Sequence, residues 1–520
     1  MPIVIFNHRR DLRLSDNLTL VNVLSNDNIV LPVFFFDPKQ IVKNSSNKHY
    51  FCSKSAYFVI NSVLDLKQQY QNIGSDLLVL YHKPHKCLEY IIKILHRRCM
   101  WQKKFNDEIF FAYNKDFSKY SLQRDQLLIN ICHKYKINII NDNDHSDYCL
   151  IPWSNMIRDG NGYKQFGAFY KNALKTKVTR PIDYKSKYNN FIKGNLFNEI
   201  FKKVQFMDFD GLMDPTLKIL DIENKMSNKM SNKIEDQWIN AGRKNCLKRL
   251  QKQINNLKNY NDMRDNLSYS TSNISAYLNI GTISIREIYY FFKNNVGSKT
   301  ELIKQLYWRD FYLCAVKYLL NGNEYFHMDD RYNKIKWHSD LPESTDKYKL
   351  MEQMWKLMME SKTGFLLVDA GIQELKQTGF LHGRNRMIVG MFWTKYLLIN
   401  PFNDKYGSQT GYSRYLVDAI GPSQNKMNHQ WITEFDFPGK KFSPSNAPIA
   451  GRPMRIDNEQ IKKFDPDCTY IKKWLPHLIN VPNKEIYKWS QEMVNKYKLH
   501  VAPIFDPREK YQEWIELCKQ

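Results

Sequence analysis

The chain has 520 residues, of which 43% are hydrophobic and 14% aromatic, so it can bury large cores, and its length predicts more than one globular domain. Its 77 Lys and Arg residues outnumber its 53 Asp and Glu residues, which gives a net charge of +24. This charge indicates a polyanionic partner rather than a role in solubility alone, and nucleic acid is preferred to a membrane surface. The nine cysteines are scattered without a C-x-x-C pair, which argues against a disulfide framework or a metal site and indicates a reducing compartment, cytoplasm or nucleus.

The N-terminal region, residues 1–140, is predicted to be an α/β domain. It starts with MPIVIFNHRR, which lacks the apolar core of a signal peptide, and no apolar run in the chain is long enough to span a bilayer. Amphipathic helical stretches alternate with short apolar runs, namely IVIF, IVLPVFFF, LLVLYH, EIFFAY and INII. This alternation predicts a parallel sheet with crossover helices. Because no G-x-G-x-x-G follows the first run, a dinucleotide bound in the Rossmann manner is not expected here.

The rest of the chain is predicted to be a linker followed by a helical domain. Residues 141–234 are rich in polar loop signals, including the near-repeat NKMSNKMSNK, and are interpreted as an interdomain linker. From residue 235 to 520, strand patterns nearly vanish and the 3.6-residue period recurs, for instance in SIREIYYFFKNNV and YKLMEQMWKLMME. The fold class is therefore α/β followed by all-α.

Three stretches of the helical half could carry chemistry. Hydroxyl and amide side chains at 270–275 precede a helical pattern, so they could hold a phosphate or simply cap a helix. Helical spacing brings four side chains close to one face, namely Gln305, Trp308, Arg309 and Tyr312, which would suit a stacked ring or an ordinary core tryptophan. In TGFLHGRNRM, Arg384 and Arg386 oppose the helix dipole at an N-terminus, which suggests a compensating anion rather than an ordinary charged first turn.

The order of the motifs resembles one known family. RRDLRLSDN, TSNISAYLNIGTIS, LYWRDFY, TGFLLVDAGIQELKQTGFLHGRNRM and KKFDPDCTYIKKWLPHL follow one another as in the DNA photolyases and cryptochromes. The resemblance implies an antenna chromophore in the α/β domain, FAD in the helical domain, and ultraviolet-damaged DNA as the partner of a monomeric enzyme. Light-excited reduced flavin would then split a cyclobutane pyrimidine dimer.

The resemblance also implies cofactor contacts. Arg386 and Asp418 would form an ion pair beside the flavin ring, and the Asn425 amide would face flavin N5. An asparagine at that position favours repair over plant-type light sensing. The phosphate and ribityl part of FAD would contact Tyr260, Thr271, Ser272, Asn273, Ile274 and Ser275. Asn273 stands where the family more often has arginine.

On the lesion side, the resemblance implies a second set of contacts. These are Arg264, Gln305, Trp308, Arg309, Gly383, Arg384, Met387 and Trp431, with the two tryptophans enclosing the dimer. Gln305 replaces the usual glutamate and Gly383 an asparagine. Met387 stands where (6-4) photoproduct enzymes have a histidine, which favours cyclobutane repair. A (6-4) enzyme, a cryptochrome-like photoreceptor without repair activity and a DNA-binding protein that has lost FAD are the alternatives.

The remaining expectations concern light capture and electron supply. Asp116 lies near a family antenna-contact position, but the identity of the antenna is not readable from the sequence. Family members usually relay electrons to flavin through a row of tryptophans. Here Trp337 matches the outermost member, whereas Pro401 and His429 occupy the other positions. The usual relay is therefore predicted to be interrupted.

Overall fold

The computed structural model describes residues 2–26, 28–41, 53–99, 108–141, 147–193, 198, 240–321, 334–407 and 455–519. The contacts divide the chain into two compact units. Unit 1 comprises Met1–Ile254, Ile274–Asn323 and Ile420–Pro422, and unit 2 comprises Asn255–Asn273, Glu324–Ala419 and Ser423–Gln520. The boundaries predicted near residues 140 and 234 divide the chain into an α/β domain, a linker and a helical domain. They do not coincide with the limits of these two units, and they stay a prediction.

A parallel sheet forms the centre of the N-terminal part of unit 1. Its strands are β1 (Ile3–His8), β2 (Ile29–Phe36), β3 (Leu78–Tyr81), β4 (Ile109–Ala112) and β5 (Asn138–Ile140). They lie in the order β3-β2-β1-β4-β5, so the five predicted strands are confirmed. All residues of β1 are buried, which explains why it appears as a continuous apolar run without alternation.

Helices connect these strands. They are α1 (Leu18–Ser25), α2 (Pro38–Ile41), α3 (Ser53–Gln71), α4 (Pro84–Cys99) and α5 (Lys119–Lys134). Since β2 and β4 flank β1 on opposite sides, the direction of winding reverses at β1. In open α/β sheets, the carboxyl ends of the strands at such a reversal form a crevice that binds ligands.

Beyond the sheet the described regular structure is almost entirely helical. The short strands β6 (Ile157–Arg158) and β7 (Asn161–Gly162) precede α6 (Phe166–Ala173), α7 (Arg243–Leu257), α8 (Tyr260–Met263), α9 (Ser275–Ile280), α10 (Ile285–Asn295), α11 (Glu301–Tyr318), α12 (Asp346–Met359), α13 (Leu366–Thr378), α14 (Gly383–Met391), α15 (Asn458–Phe464), α16 (Thr469–Trp474), α17 (Asn483–Ile486), α18 (Gln491–Tyr497) and α19 (Pro507–Lys519). The predicted α/β part followed by a helical part is thus confirmed. Helix α6 lies within the segment that the sequence suggested was only a linker.

Buried polar contacts explain why α9 to α11 belong to unit 1. The Asp310 carboxylate on α11 accepts hydrogen bonds from the main-chain N–H groups of Leu150 and Ile151, at 2.8 and 3.3 Å. The Arg286 guanidinium on α10 donates to Asp16 at 3.0 Å. Arg286 is thus paired with an acidic side chain inside the unit, and the buried Asp310 is held by main-chain donors.

Unit 2 is built around α13 and α14, whose apolar faces contribute Leu366, Ile372, Ile388 and Val389 to one large core. The turn before α13 needs glycine, because Gly364 has φ +74° and a side chain there would lie 2.2 Å from the main chain of Ala502. Among the described residues, no helix is long and apolar enough to cross a membrane.

Candidate functional site

A cleft opens in unit 1 beside the carboxyl end of β1. It is lined by Asn7, Arg9 and Arg10 at that end and by Asp116, Tyr120 and Arg124 after β4. Because β1 and β4 are parallel neighbours, their carboxyl ends lie at the same edge of the sheet, where a ligand crevice is expected. Asp116, which the resemblance associated with an antenna contact, lies in this cleft.

The cleft carries an excess of positive charge. Arg9 donates to Asp125 at 2.8 Å, but its Nε and second Nη are buried and have no hydrogen-bond partner among the described residues. One Nη of Arg124 is likewise buried without a hydrogen-bond partner among the described residues, although its Nε donates to Asp125 at 3.1 Å. Burial alone would raise the pKa of Asp116, but Arg10 and Arg124 lower it, so this carboxylate is ionised. Unused guanidinium N–H groups fit an anionic ligand.

The segment predicted to hold the FAD phosphates has an unusual local conformation. Asn273 is buried and left-handed, with φ +51°. The Thr271 hydroxyl donates to its Oδ1 at 2.9 Å, which fixes the amide. Ser272 is half-buried, and Tyr260 is half-buried at the start of α8. Thr271, Ser272 and Asn273 thus form a polar segment in unit 2, with a left-handed residue at its end.

Ile274 and Ser275 belong to unit 1 and form the beginning of α9. Ile274 is the N-cap residue, and its apolar side chain makes no capping hydrogen bond. The hydroxyl groups and the amide of the unit 2 segment, residues 271 to 273, suit a phosphate.

The polar side chains at the N-terminus of α14 have different surroundings. His382 is the N-cap residue, and its Nδ1 accepts from the Arg384 main-chain N–H at 3.2 Å. The Arg384 side chain is partly exposed, and its Nε donates to Asp265 at 2.6 Å. Gly383 and Met387 are half-buried, and Met387 Sδ lies 3.7 Å from an Nη of Arg384. Arg264, predicted to bind DNA, ends α8 immediately before Asp265.

Arg386 points into the core of unit 2. Only 2% of it is exposed, and its Nε donates to the Leu381 carbonyl at 2.8 Å. A buried network that the sequence did not reveal lies nearby: the Tyr470 hydroxyl donates to Glu374 at 2.5 Å, and burial raises the pKa of Glu374 to about 7. The pattern that could have revealed it is an acidic residue among the apolar positions of α13.

His382 gives a testable pH dependence. Burial, followed by the charges of Arg384 and Arg386, lowers the pKa of His382 to about 4 from its ordinary value of 6.5. Folding therefore favours the neutral imidazole, and this stabilisation is complete above pH 6.5 and lost as the pH falls towards 4. We expect the free energy of unfolding to drop by about 1–2 kcal/mol from this group between roughly pH 7 and pH 5.

The matched variant is His382→Asn, because asparagine keeps an N-cap acceptor but does not titrate. Urea unfolding at both pH values measures the effect, and subtracting the variant's loss from the wild-type loss removes the contribution of other groups. Equal losses in the two proteins would show that His382 does not titrate in this range.

The helix predicted around Trp308 is present as α11, but its three predicted lesion contacts differ in how far they are buried. Gln305 and Trp308 are half-buried, whereas Arg309 is only 6% exposed. The Arg309 guanidinium donates to the carbonyls of Tyr148 and Leu278, so it is held in the core of unit 1. Its position offers no exposed donor to a lesion, in contrast to the expectation from sequence.

The Trp308 ring is stacked on an aromatic residue that the sequence did not single out. Phe166 on α6 lies parallel to it, with ring centroids 3.5 Å apart and an interplanar angle of 6°. Tyr312, one turn further along α11, stacks on Trp308 at 5.7 Å and 22°. A phenylalanine in GYKQFGAFYK gave no functional signal, because aromatic residues at helical spacing are common in cores.

Trp337 is not at the surface, where an outermost relay residue was expected. It is 2% exposed in unit 2 and stacks on Trp514 at 5.4 Å. Pro401 lies in a buried turn after α14. Four predicted residues lie outside the described part of the chain, namely Asp418, Asn425, His429 and Trp431.

Comparison with known families matches both halves of the chain. Residues 4–185 match the family model described as DNA photolyase. Residues 302–520 match the model described as the FAD binding domain of DNA photolyase, which identifies the helical half as an FAD-binding domain. The two matches follow the order of the α/β and helical parts.

Individual relatives align over almost the entire chain. A protein of Alkalihalophilus pseudofirmus named deoxyribodipyrimidine photo-lyase is 27% identical over 98% of this chain and 96% of its own. Cryptochrome-2 of Arabidopsis thaliana is 24% identical over 92% of this chain and 71% of its own. An archaeal photolyase from Sulfolobus tokodaii, solved with two FAD molecules, superposes with a TM-score of 0.72 at 26% identity, covering 99% of each chain. The chain therefore belongs to the DNA photolyase and cryptochrome family.

Proposed function

We propose that this protein uses light absorbed by FAD to repair cyclobutane pyrimidine dimers in DNA. The observation that carries the proposal is a half-buried pair on α11: Trp308, an aromatic ring of the type that stacks on bases, and Gln305, one turn earlier, whose amide suits a base edge. The net charge of +24 suits a DNA partner. Several relatives at 25–28% identity, including those from A. pseudofirmus and a Synechococcus strain, are named deoxyribodipyrimidine photo-lyase.

The described residues fit FAD. Thr271, Ser272 and Asn273 of unit 2 supply hydroxyl and amide groups, with Asn273 in the left-handed conformation. We propose that these groups contact the diphosphate and ribityl part, and that buried Arg386, with Asp418 and Asn425, contacts the flavin ring. When reduced and excited by light, FAD supplies the electron that cleaves the lesion.

The choice of lesion is supported by the side chains around Met387. A (6-4) enzyme needs an acidic imidazole at that position, and Met387 cannot donate a proton. The neighbouring histidine, His382, does not replace it: its Nδ1 is used as an N-cap acceptor, and burial lowers its pKa to about 4, so it is neutral at pH 7. Cyclobutane dimers need no such acid.

The test is repair by the purified protein. Denaturation should release FAD, and the chemically reduced protein should remove cyclobutane dimers from an oligonucleotide under blue light, not in the dark. The similarity to Cryptochrome-2 makes a photoreceptor the second candidate. A protein that retains FAD but repairs neither cyclobutane nor (6-4) lesions would be such a receptor, and repair of the (6-4) lesion alone would replace the proposed substrate.

A second chromophore is proposed for the cleft of unit 1. The unpartnered N–H groups of Arg9 and Arg124 favour a chromophore that carries an anionic group. The S. tokodaii relative with two FAD molecules supports the presence of an additional chromophore. Arg9→Gln should lower the amount of a second chromophore that copurifies, with FAD in the helical domain unchanged.

Arg384 is proposed to contact a DNA phosphate. Arg384→Ala should then weaken binding of intact and damaged duplex alike, and should reduce the slope of log K against log salt by about 0.9. The matched variant is Asp265→Asn, which removes the ion-pair partner of Arg384 and should leave the slope unchanged while modestly tightening binding. An unchanged slope in Arg384→Ala would show that this arginine binds no phosphate.

A further inference from the structure

Four aromatic side chains of unit 1 form a continuous row, called here the four-ring row: Tyr170, Phe166, Trp308 and Tyr312. Neighbouring rings are nearly parallel, with interplanar angles of 14°, 6° and 22° along the row. The centroid distance is shortest, 3.5 Å, between Phe166 and Trp308. Two of the rings come from α6 and two from α11, so the row joins two separate segments of the chain.

Phe166 occupies the place that a stacked base would need. At 3.5 Å its ring is already in van der Waals contact with the indole, so a second ring cannot enter on that face while Phe166 stays. The covered face belongs to the tryptophan that the proposed function assigns to the lesion. A base that stacks there must first displace the phenylalanine.

The surroundings of Phe166 allow such a displacement. Its side chain is only half-buried, and α6 is anchored instead by Phe169 and Ala173, both fully buried. The Phe166 ring contacts Tyr170 and Trp308 in the row and packs edge-on against Phe311, with ring centroids 5.7 Å apart. Displacing the Phe166 ring therefore breaks these aromatic contacts, while buried Phe169 and Ala173 still hold α6 in place.

We propose that Phe166 is a removable plug of the lesion site, a ring that covers Trp308 until a base of the damaged DNA replaces it. The inference rests on the proposed function, because it takes Trp308 as the stacking residue for the lesion. When a base takes the place of Phe166 on Trp308, the stacking energy gained with the base is partly offset by the stacking energy lost with Phe166. Phe166 thus lowers the affinity for any base that enters the site, and it has no effect on phosphate contacts.

The test compares DNA binding by wild-type protein and two variants. Phe166→Ala should bind a duplex with a cyclobutane dimer roughly two- to tenfold more tightly, the range expected for one aromatic pair, and undamaged single strands should gain as well. Intact duplex should bind as before, since its bases are not available for stacking. Phe166→Leu keeps apolar volume without an aromatic face and should change in the same direction, so it serves if the alanine variant folds poorly.

Phe291→Ala is the matched control, a half-buried phenylalanine on α10 of the same unit that is not part of the four-ring row. It should leave all three affinities unchanged. Weaker or unchanged dimer binding by both Phe166 variants would overturn the plug and make Phe166 a wall of the site or a core residue. Wild-type protein with equal affinity for damaged and intact duplex would refute the proposed function, and the plug with it.

Discussion

Blue light alone is expected to reduce the FAD of this protein slowly, orders of magnitude more slowly than a continuous tryptophan relay would, whereas chemical reduction should give normal repair. The reason is that imidazole and proline are much harder to oxidise than indole, and alignment puts His429 and Pro401 where relay tryptophans are usual. Repair itself does not need the relay, because the electron passes from reduced flavin to the lesion. The visible absorption of oxidised flavin under illumination measures the first rate, and dimer loss measures the second.

The structure supplies the variants for this experiment. Trp337 is stacked on Trp514 in a small buried cluster with Leu398, and both rings are fully or almost fully covered. Trp337→Phe and Trp514→Phe should each leave the slow photoreduction as it is. A prompt tryptophan radical in transient absorption, lost in Trp337→Phe, would contradict the interrupted relay.

Trp308→Ala is expected to reduce the affinity for a dimer by roughly 1–3 kcal/mol, the value of one base stacked on an aromatic side chain. The affinity for intact duplex should stay the same, because phosphate contacts supply that binding. Discrimination between damaged and intact DNA should fall accordingly. Equilibrium binding of the two duplexes at a single salt concentration measures both effects.

Two controls separate stacking from folding. Trp308→Phe keeps a ring against Phe166 and should retain a large part of the affinity, and thermal unfolding of both variants reports any loss of packing in unit 1. An equal loss of affinity for damaged and intact duplex would mean that Trp308 does not contact the lesion.

The N-terminal fold was largely predictable because its signals are local. Each of the five strands contains a short apolar run such as IVIF, and the central strands β1 and β2 are buried almost throughout the parallel sheet. The helices around Trp308 and Met354 were likewise predicted by the 3.6-residue period. Helix α6 was missed because it has only eight residues and lies in a stretch rich in polar loop signals.

The sequence indicated which residue types belong to the candidate site, but not how their side chains are arranged. Spacing placed Gln305, Trp308 and Arg309 together on α11, yet burial separates them, since Arg309 donates to main-chain carbonyls inside unit 1. The charged first turn of α14 was predicted to need an anion, and in unit 2 the Arg384 side chain is paired with Asp265. Helical spacing specifies which side chains are neighbours on one helix, but not what lies opposite them.

By itself, therefore, the sequence determined the order of the α/β and helical parts, the family and its cofactor, because these depend on periodicity and on motifs that are local in the chain. Only the tertiary structure decided that Phe166 covers Trp308, that Trp337 is buried against Trp514, and that Arg9 and Arg124 have unused N–H groups in one cleft. Each of these facts is a contact, or a missing contact, between residues remote in sequence. Such contacts depend on how whole elements pack, and no local pattern specifies that packing.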